Sequence, residues 1–436
     1  MAPHPPARTV LFLQGPPSRL WVEIADALEA RGARALRVDL CLADQLWWRR
    51  GGAVAYRGRL RHWRRWLTAF TRREGVTDIL YYADRLPYHR IAAKVARAEG
   101  IAAHALEFGY LRPDWLTLER EGGGAWSHFP QDPALMRADA PAPDFAIRYP
   151  HDFRTEAVAE VAYNLIMTAG RPLFPFYASD KFYAPIFDYL CWLPKLATER
   201  RRRARAARVQ AACAEGRWPY TLVALQMQSD YQLRHSAPFH DQGEMIDEIL
   251  RSFAAHAASD HRLVFKLHPL DNGWENWPAR AARSAAALGV ADRVLVLDGG
   301  DLGALIGGAQ GVIVANSTVG LHALRAGAPV KALGAAVYDM AGLTHQGPLD
   351  GFWRAPPPPE PDLLRRFTAT LAAEIQVKGS VYHPEGRRLA AAEVAARIVE
   401  GRVGPASHRG EPHAVPPRIR ALKAAWRKRR EVRARG

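Results

Sequence analysis

The chain has 436 residues, 48% of them hydrophobic, which is long for one ordinary domain and apolar enough to bury more than one core. Lys and Arg number 60 against 44 Asp and Glu, a formal charge of +16 that favours anionic partners such as nucleotides, phospholipid headgroups or nucleic acid. Cys41, Cys191 and Cys213 are odd in number and lack a CxxC spacing, which excludes a disulfide framework and a structural zinc site, and no run approaches the roughly 18 apolar residues of a membrane span.

Residues 1–8 read as a disordered leader, without the continuous apolar stretch of a signal peptide. Buried strands are predicted at Val10–Gln14, Ala35–Leu40, Asp78–Tyr82 and Ile101–Glu107. Amphipathic helices alternate with them: one opens at Ser18 as N-cap and places Trp21, Ile24, Ala25 and Leu28 on one face. Another opens at Pro87, where proline suits the first turn, and carries Ile91, Val95 and Ala98. Between them, Leu46–Arg73 interleaves Trp47, Trp48, Trp63, Trp66 and Phe70 with nine arginines. That composition suits an anionic lipid surface or nucleic acid, and helical spacing equally suits core packing for Trp63 and Trp66.

A second series of strands is predicted at Tyr220–Gln226, Arg262–Leu267, Arg293–Asp298, Gly311–Ala315 and Pro329–Leu333. The βαβα order in both halves predicts an α/β protein with parallel, doubly wound sheets. Two Rossmann-like domains facing a central cleft make a GT-B-like architecture. The expected division is 9–195 for an N-terminal, acceptor-side domain, 196–216 for an arginine-dense connector helix, and 217–400 for a C-terminal nucleotide-sugar domain. Residues 401–436 form a basic tail, disordered or a short helix.

Chemistry is expected at the C-terminal ends of the strands, where open α/β sheets bind ligands. In the second half, Lys266, His268 and Pro269 follow one strand, and Asn316, Ser317 and Thr318 follow another at the start of a helix. Both positions suit a phosphate, and a helix cap and a turn are the plainer reading of each. In the first half, Glu107 emerges beyond its strand, followed by Arg112 and Asp114; glycosyl transfer needs such a carboxylate as base, nucleophile or charge stabiliser. Asp84, Arg85 and His89 lie past a neighbouring strand, with Asp84 also placed to cap the Pro87 helix. Gln14 and Gly15 end the first strand and offer backbone to a phosphate. No GxGxxG or GxxxxGK[ST] pattern and no HExxH spacing occurs, so neither dinucleotide nor catalytic zinc chemistry is indicated.

The stretches FLQGPPSRLW, ADRLPYHR, EFGYLRPDWLTLE, GRPLFPFY, LQMQSDYQLRHSAPF, KLHP and NSTVGLHALRAGAPVKALGAAVYDMAGLTHQG resemble KpsS-type capsule polysaccharide biosynthesis/export proteins, from about residue 10 to 390. The resemblance implies a GT-B β-Kdo transferase that uses CMP-Kdo as donor, needs no other cofactor and no metal, and acts on a phosphatidylglycerol-type acceptor at the inner face of the inner membrane, beside a KpsC-type transferase and export machinery. It implies that His268 and Pro269 meet the cytidine nucleotide and that Ser317 and Thr318 hold its phosphate, with Lys266, Asn316 and Arg234 nearby. Glu107 and Gly109 match the family's acidic-acidic-Gly motif, with Phe108 in place of the second acid; the catalytic carboxylate is then Glu107, Asp84 or Asp114. Gln14, Gly15, Arg85, His89 and Arg112 fall on the acceptor side. The competing readings are a transferase or epimerase for another nucleotide sugar and a non-catalytic export scaffold. Nucleic acid is not an expected partner, because no recognisable module accompanies the charge.

Overall fold

The computed structural model describes residues 8–150, 153–408 and 415–435, so the leader expected at 1–8 lies, apart from Arg8, outside the described residues. The chain divides into two compact units: Met1–Phe129, Pro141–Asp180 and Ala369–Val415 form the first, and Pro130–Ala140, Lys181–Thr368 and Pro416–Gly436 the second.

In the first unit the chain runs β1 (Thr9–Phe12), α1 (Leu20–Glu29), β2 (Arg34–Asp39), α2 (Leu42–Trp48), β3 (Ala53–Ala55), α3 (Leu60–Glu74), β4 (Asp78–Tyr82), α4 (Pro87–Glu99), β5 (Ala102–Phe108), β6 (Trp115–Arg120) and α5 (Phe153–Ala169). Strands β1 to β5 are parallel in the order β5-β4-β1-β2-β3, and β6 pairs antiparallel with β5. Period-two alternation sends Val10, Phe12, Leu80 and Leu106 to one face against Ile24 and Leu28 of α1. Leu11, Ile79 and Tyr81 go to the other, against Leu67 of α3 and Val95 of α4. Both faces are thereby buried, as a doubly wound sheet requires.

Local chemistry sets the helix ends. Ser18 Oγ accepts from Leu20 N at 3.2 Å, so the first helix starts two residues beyond the expected cap. Pro87 occupies the first turn of α4, and Gly75 and Gly100 end α3 and α4 at φ 63° and 68°, values that glycine adopts without strain. Trp63 of α3 is fully buried, with Nε1 donating to Tyr88 O at 3.0 Å, and Trp66 stacks on it at 5.3 Å between centroids. These two rings belong to the core, because Trp63, Leu67 and Phe70 share one helical face; the lipid or nucleic-acid reading of this stretch does not hold for them.

The second unit contains α6 (Pro185–Ala197), α7 (Glu199–Ala214), β7 (Tyr220–Ala224), α8 (Tyr231–Ser236), α9 (Gln242–His256), β8 (Arg262–Lys266), α10 (Trp277–Ala287), β9 (Val294–Leu297), α11 (Leu302–Gly307), β10 (Gly311–Val314), α12 (Val319–Arg325), β11 (Val330–Ala332), α13 (Leu349–Phe352) and the start of α14 (Pro361–Ile375). Its five strands are all parallel, in the order β11-β10-β7-β8-β9. Val223, Phe265 and Ile313 pack against Ile246 and Phe253 of α9.

The chain then returns to the first unit. β12 (Gln376–Lys378) pairs antiparallel with β6 and completes a seven-stranded sheet, and α15 (Pro384–Val399) packs Ala390, Val394 and Ile398 into the core of α1. The expected boundaries shift accordingly: 369–415 belongs with the N-terminal half, and 181–216, including the expected connector, with the second unit. In the tail, α16 (Pro417–Arg435) is a helix rather than disordered chain, with Ile419 and Leu422 buried and Arg429 Nη2 2.5 Å from Glu248 Oε2. Each unit holds a Rossmann-like α/β sheet, the α/β class with two Rossmann-like domains expected from the sequence.

Candidate functional site

The carboxylates of the first unit meet at a glycine turn. In the β5–β6 ladder Ala105 stands opposite Glu119 and Glu107 opposite Thr117, so alternation brings Glu107 and Glu119 to one face of the sheet. After β6 the backbone turns through Glu121, Gly122, Gly123 and Gly124, with φ 64° at Glu121 and 57° at Gly124. A Cβ on Gly123 would stand 3.1 Å from Tyr110 Oη, 3.4 Å from Glu119 Oε1 and 3.9 Å from Glu107 Oε2. One on Gly122 would stand 2.2 Å from Asp84 Oδ2. Glycine at both positions lets the backbone approach three acids that a side chain would displace.

These acids differ in setting. Glu119 is buried, accepting from Tyr110 Oη at 3.2 Å and from Ser127 Oγ, while Gly124 N donates to Tyr110 Oη at 2.9 Å. Glu107 is half-buried. Asp84 is buried and lies 2.9 Å from Arg85 Nε, a charge contact outside hydrogen-bond alignment. Burial pushes its carboxyl above the ordinary value, and Arg85 opposes that rise. The Arg85 guanidinium sits 4.3 Å over the Trp126 ring. Leu86, not Asp84, occupies the cap position of α4.

The other expected residues of this unit have structural partners. Asp114 is buried, accepting from Arg148 N at 2.8 Å and Lys378 Nζ at 3.0 Å, which makes it a strut between segments. His89 is fully buried, stacked on Tyr81 at 5.1 Å with Nδ1 2.8 Å from Ala83 O, and burial pulls its pKa down to about 4. Gly15 faces the Trp21 indole, where a Cβ would lie 2.8 Å from the ring, so close packing rather than phosphate approach explains it. Gln14 joins a buried network: its Nε2 donates to Tyr177 Oη at 3.0 Å and to Tyr163 Oη, which donates to Asp44 at 3.0 Å. Asp44 and Asp39 flank the buried Arg37 at 3.1 and 2.8 Å. Arg112 is exposed, 5.2 Å over the Phe108 ring. Of the tryptophan-arginine stretch, Leu46, Trp47, Trp48 and Arg49 line a cavity of about 350 Å³ with Arg19, Val22 and Ile166.

In the second unit, register aligns the donor candidates. Val314 of β10, Ala224 of β7 and Lys266 of β8 are successive partners, so Asn316, Gln226 and His268 follow two residues later along the same edge. Gln226 Nε2 donates to Asn316 Oδ1 at 3.1 Å, and Asn316 Nδ2 donates to Gln232 O at 2.8 Å. His268 is half-buried and its Nδ1 accepts from Leu270 N at 3.1 Å, which puts the proton of the neutral ring on Nε2 as a donor. Pro269 is exposed beside it. Lys266 Nζ donates to Gly299 O at 3.0 Å; burial lowers its pKa, and Asp298 and Asp301 counter that. Ser317 Oγ accepts from Val319 N at 3.2 Å, so Ser317 does take the local turn bond expected of the plainer reading, while Thr318 holds the cap position of the seven-residue α12 without a side-chain cap bond. Arg234 stacks 5.2 Å over Tyr231 and 5.5 Å over Phe182. Among the described residues no three His, Cys, Asp or Glu are grouped to hold a metal ion.

A family model described as "Capsule polysaccharide biosynthesis protein" matches residues 77–382, which takes in both sets of candidates except Gln14 and Gly15. The capsule polysaccharide export protein KpsS of Escherichia coli is 31% identical over 375 residues, covering 85% of this chain and 96% of that relative. The chain belongs to the capsule polysaccharide biosynthesis protein family. The capsule polysaccharide modification protein LipB of Neisseria meningitidis is 26% identical over 392 residues, covering 86% of this chain and 92% of LipB. Among solved structures, the β-Kdo 2,7 transferase of Thermosulfurimonas dismutans KpsC matches with TM-score 0.42 and 16% identity over 90% of this chain and 99% of that one.

Two polar residues of this capsule-family chain escape a reading by motif. Glu119 lies in β6, for which no strand is expected from the sequence, and its signal is the run Glu119-Arg120-Glu121-Gly122-Gly123-Gly124. Gln226 ends a predicted strand, and its signal is the polar stretch Gln226-Met227-Gln228-Ser229-Asp230 at the centre of the second sheet.

Proposed function

We propose that the protein is a glycosyltransferase that moves Kdo from CMP-Kdo to an anionic phosphatidylglycerol-type lipid, starting the linker on which a capsular polysaccharide is built. The observation that carries the reading is the convergence of Glu107, Glu119 and Asp84 on one glycine turn: a set of acids in different settings, one buried and bound, one more open, is what acid-base chemistry at a sugar needs. The second unit supplies the donor side. His268 Nε2–H, the Ser317 and Thr318 hydroxyls and the Lys266 ammonium present donors to a nucleotide phosphate.

In this reading the bond from the anomeric carbon of Kdo to the phosphate oxygen breaks, CMP leaves as an anion, and the acceptor hydroxyl bonds to that carbon on the face the phosphate leaves, so that the configuration is retained. Glu107 takes the hydroxyl proton. Glu119, held by Tyr110 and Ser127, orients the turn and keeps negative charge beside the oxocarbenium-like centre. Side-chain cations and donors neutralise the leaving phosphate, so neither metal nor further cofactor is part of the scheme, and a β-linked donor gives a β-linked product. The enzyme works peripherally at the inner face of the inner membrane, with a KpsC-type transferase and the export machinery as partners. No described helix is long and apolar enough to cross a membrane.

The test incubates purified protein with CMP-Kdo and a fluorescent phosphatidylglycerol and reads the product by mass and its anomeric configuration by NMR. One added Kdo, reduced about 100-fold or more in Glu107→Gln, is the expected result. Transfer from a UDP-sugar but not from CMP-Kdo would favour the other nucleotide-sugar reading, and no transfer to any lipid would favour the scaffold.

A further inference from the structure

α6 is amphipathic in the reverse sense for a helix of a protein surrounded only by water. Its polar side chains point into the second unit: Asp188 Oδ1 accepts from Asn272 Nδ2 at 2.6 Å, and the buried Lys195 donates to Asp271 O and lies 3.6 Å from Asp298 Oδ2. Four of its apolar side chains point outward. Ile186, Leu190, Leu193 and Leu196 are 59, 57, 60 and 58% exposed. The first three recur at i, i+4 and i+7, which is one stripe of an α-helix, and Leu196 widens it. Scattered surface leucines are ordinary, whereas a continuous stripe of four marks a contact surface.

Charge next to the stripe identifies what it contacts. After Thr198 the chain enters α7, whose sixteen residues carry six arginines and one acid, Glu199, already paired with Arg203 at 2.5 Å. Arg200, Arg201, Arg205 and Arg208 are exposed. Aromatic rings border the stripe: Phe182 just before the helix is 47% exposed, and Trp274, 61% exposed, packs edge-on against Phe187 of α6 at 4.7 Å. Leucines that enter the acyl boundary, rings at headgroup depth and guanidinium groups at the phosphates form the pattern of an interfacial helix. A second copy would bring two arginine-rich faces together, which like-charge repulsion opposes.

We propose that α6, with the arginines of α7, docks the protein on an anionic phospholipid surface. The inference rests on the peripheral-membrane part of the proposed function and not on its donor or its chemistry. The full chain is floated with vesicles of phosphatidylcholine alone or mixed equally with phosphatidylglycerol, at low and high salt. Wild type is expected to float with the mixed vesicles at low salt and not with phosphatidylcholine. Leu190→Ser/Leu193→Ser is expected to weaken vesicle binding about tenfold or more. Arg200→Glu/Arg201→Glu/Arg205→Glu is expected to weaken it and flatten its salt dependence. Both variants keep transfer to a short-chain, detergent-free acceptor. Unchanged flotation of the leucine variant overturns the proposal, as does a dimer in sedimentation that the leucine variant converts to monomer while lipid binding stays as in wild type. Flotation as expected from a protein that transfers nothing to the soluble acceptor would sink the proposed chemistry and leave the docking face standing.

Discussion

Gly122 lies against Asp84: a side chain begun on Gly122 would stand 2.2 Å from Asp84 Oδ2, in a site where Asp84 is already buried beside Arg85. Gly122→Ala forces the carboxylate or the turn to move. The expected outcome is a loss of about 1–3 kcal/mol in stability from overpacking, with transfer falling about tenfold or more because the turn also sets Gly123 beside Glu107 and Glu119. Urea denaturation and transfer rates measured on one preparation check both. A variant with wild-type rates shows that the turn does not hold the acids.

In the second unit, Gln226 holds Asn316 in place through the 3.1 Å bond between their side chains. Gln226→Leu removes that bond at similar volume. Binding of CMP, read by calorimetry, is expected to weaken about tenfold, which corresponds to about 1.4 kcal/mol, and stability to fall by about 1–3 kcal/mol because Asp230 Oδ2 and Asn316 N lose their bonds to Gln226 as well. An unaltered affinity would detach this row of residues from the nucleotide.

Arg37 is buried between Asp39 and Asp44, and burial raises the Asp39 pKa while Arg37 opposes the rise. Arg37→Leu leaves two buried carboxylates without their cation, for a loss of about 3–5 kcal/mol. Asp39 is then protonated more readily, so the deficit should be largest near neutral pH and shrink as the solution is acidified. Denaturation midpoints at several pH values read this directly.

His89 gives stability a pH dependence of the opposite sense. Its folded pKa is about 4 against an ordinary 6.5, so the unfolded chain binds the proton more readily and folding is penalised as pH falls through that window. The full effect is about 3 kcal/mol, gained back between pH 4 and 6.5 as pH rises. His89→Gln is expected to flatten the stability profile across that range. A slope equal to wild type would mean that other groups carry the acid sensitivity.

Much of the fold was legible along the chain. β4 has the predicted bounds, and the other strands expected at apolar runs lie within two residues of prediction, since a buried parallel strand announces itself by continuous apolar residues. β3, β6 and β12 were not legible. Ala53 and Val54 of β3 are exposed, and β12 has three residues whose strand state depends on distant partners. There Gln376 Oε1 accepts from Tyr110 N at 2.8 Å, 266 residues away in sequence. With no strand expected at 115–120, alternation along the chain could not put Glu119 beside Glu107.

By itself, then, the amino-acid sequence determined two doubly wound α/β halves, the capsule family and the strand ends at which polar residues gather, because periodicity and long motifs are local properties. Tertiary structure alone decided which of those residues share a site. Asp84, Glu107 and Glu119 converge because three strands and a glycine turn meet, while Asp114, His89 and Gly15, equally prominent as letters, are taken up by Lys378, Tyr81 and Trp21. It also decided that the leucines of α6 face outward, since helical spacing defines a stripe but only the partners of Asp188 and Lys195 say which side of it is the interior.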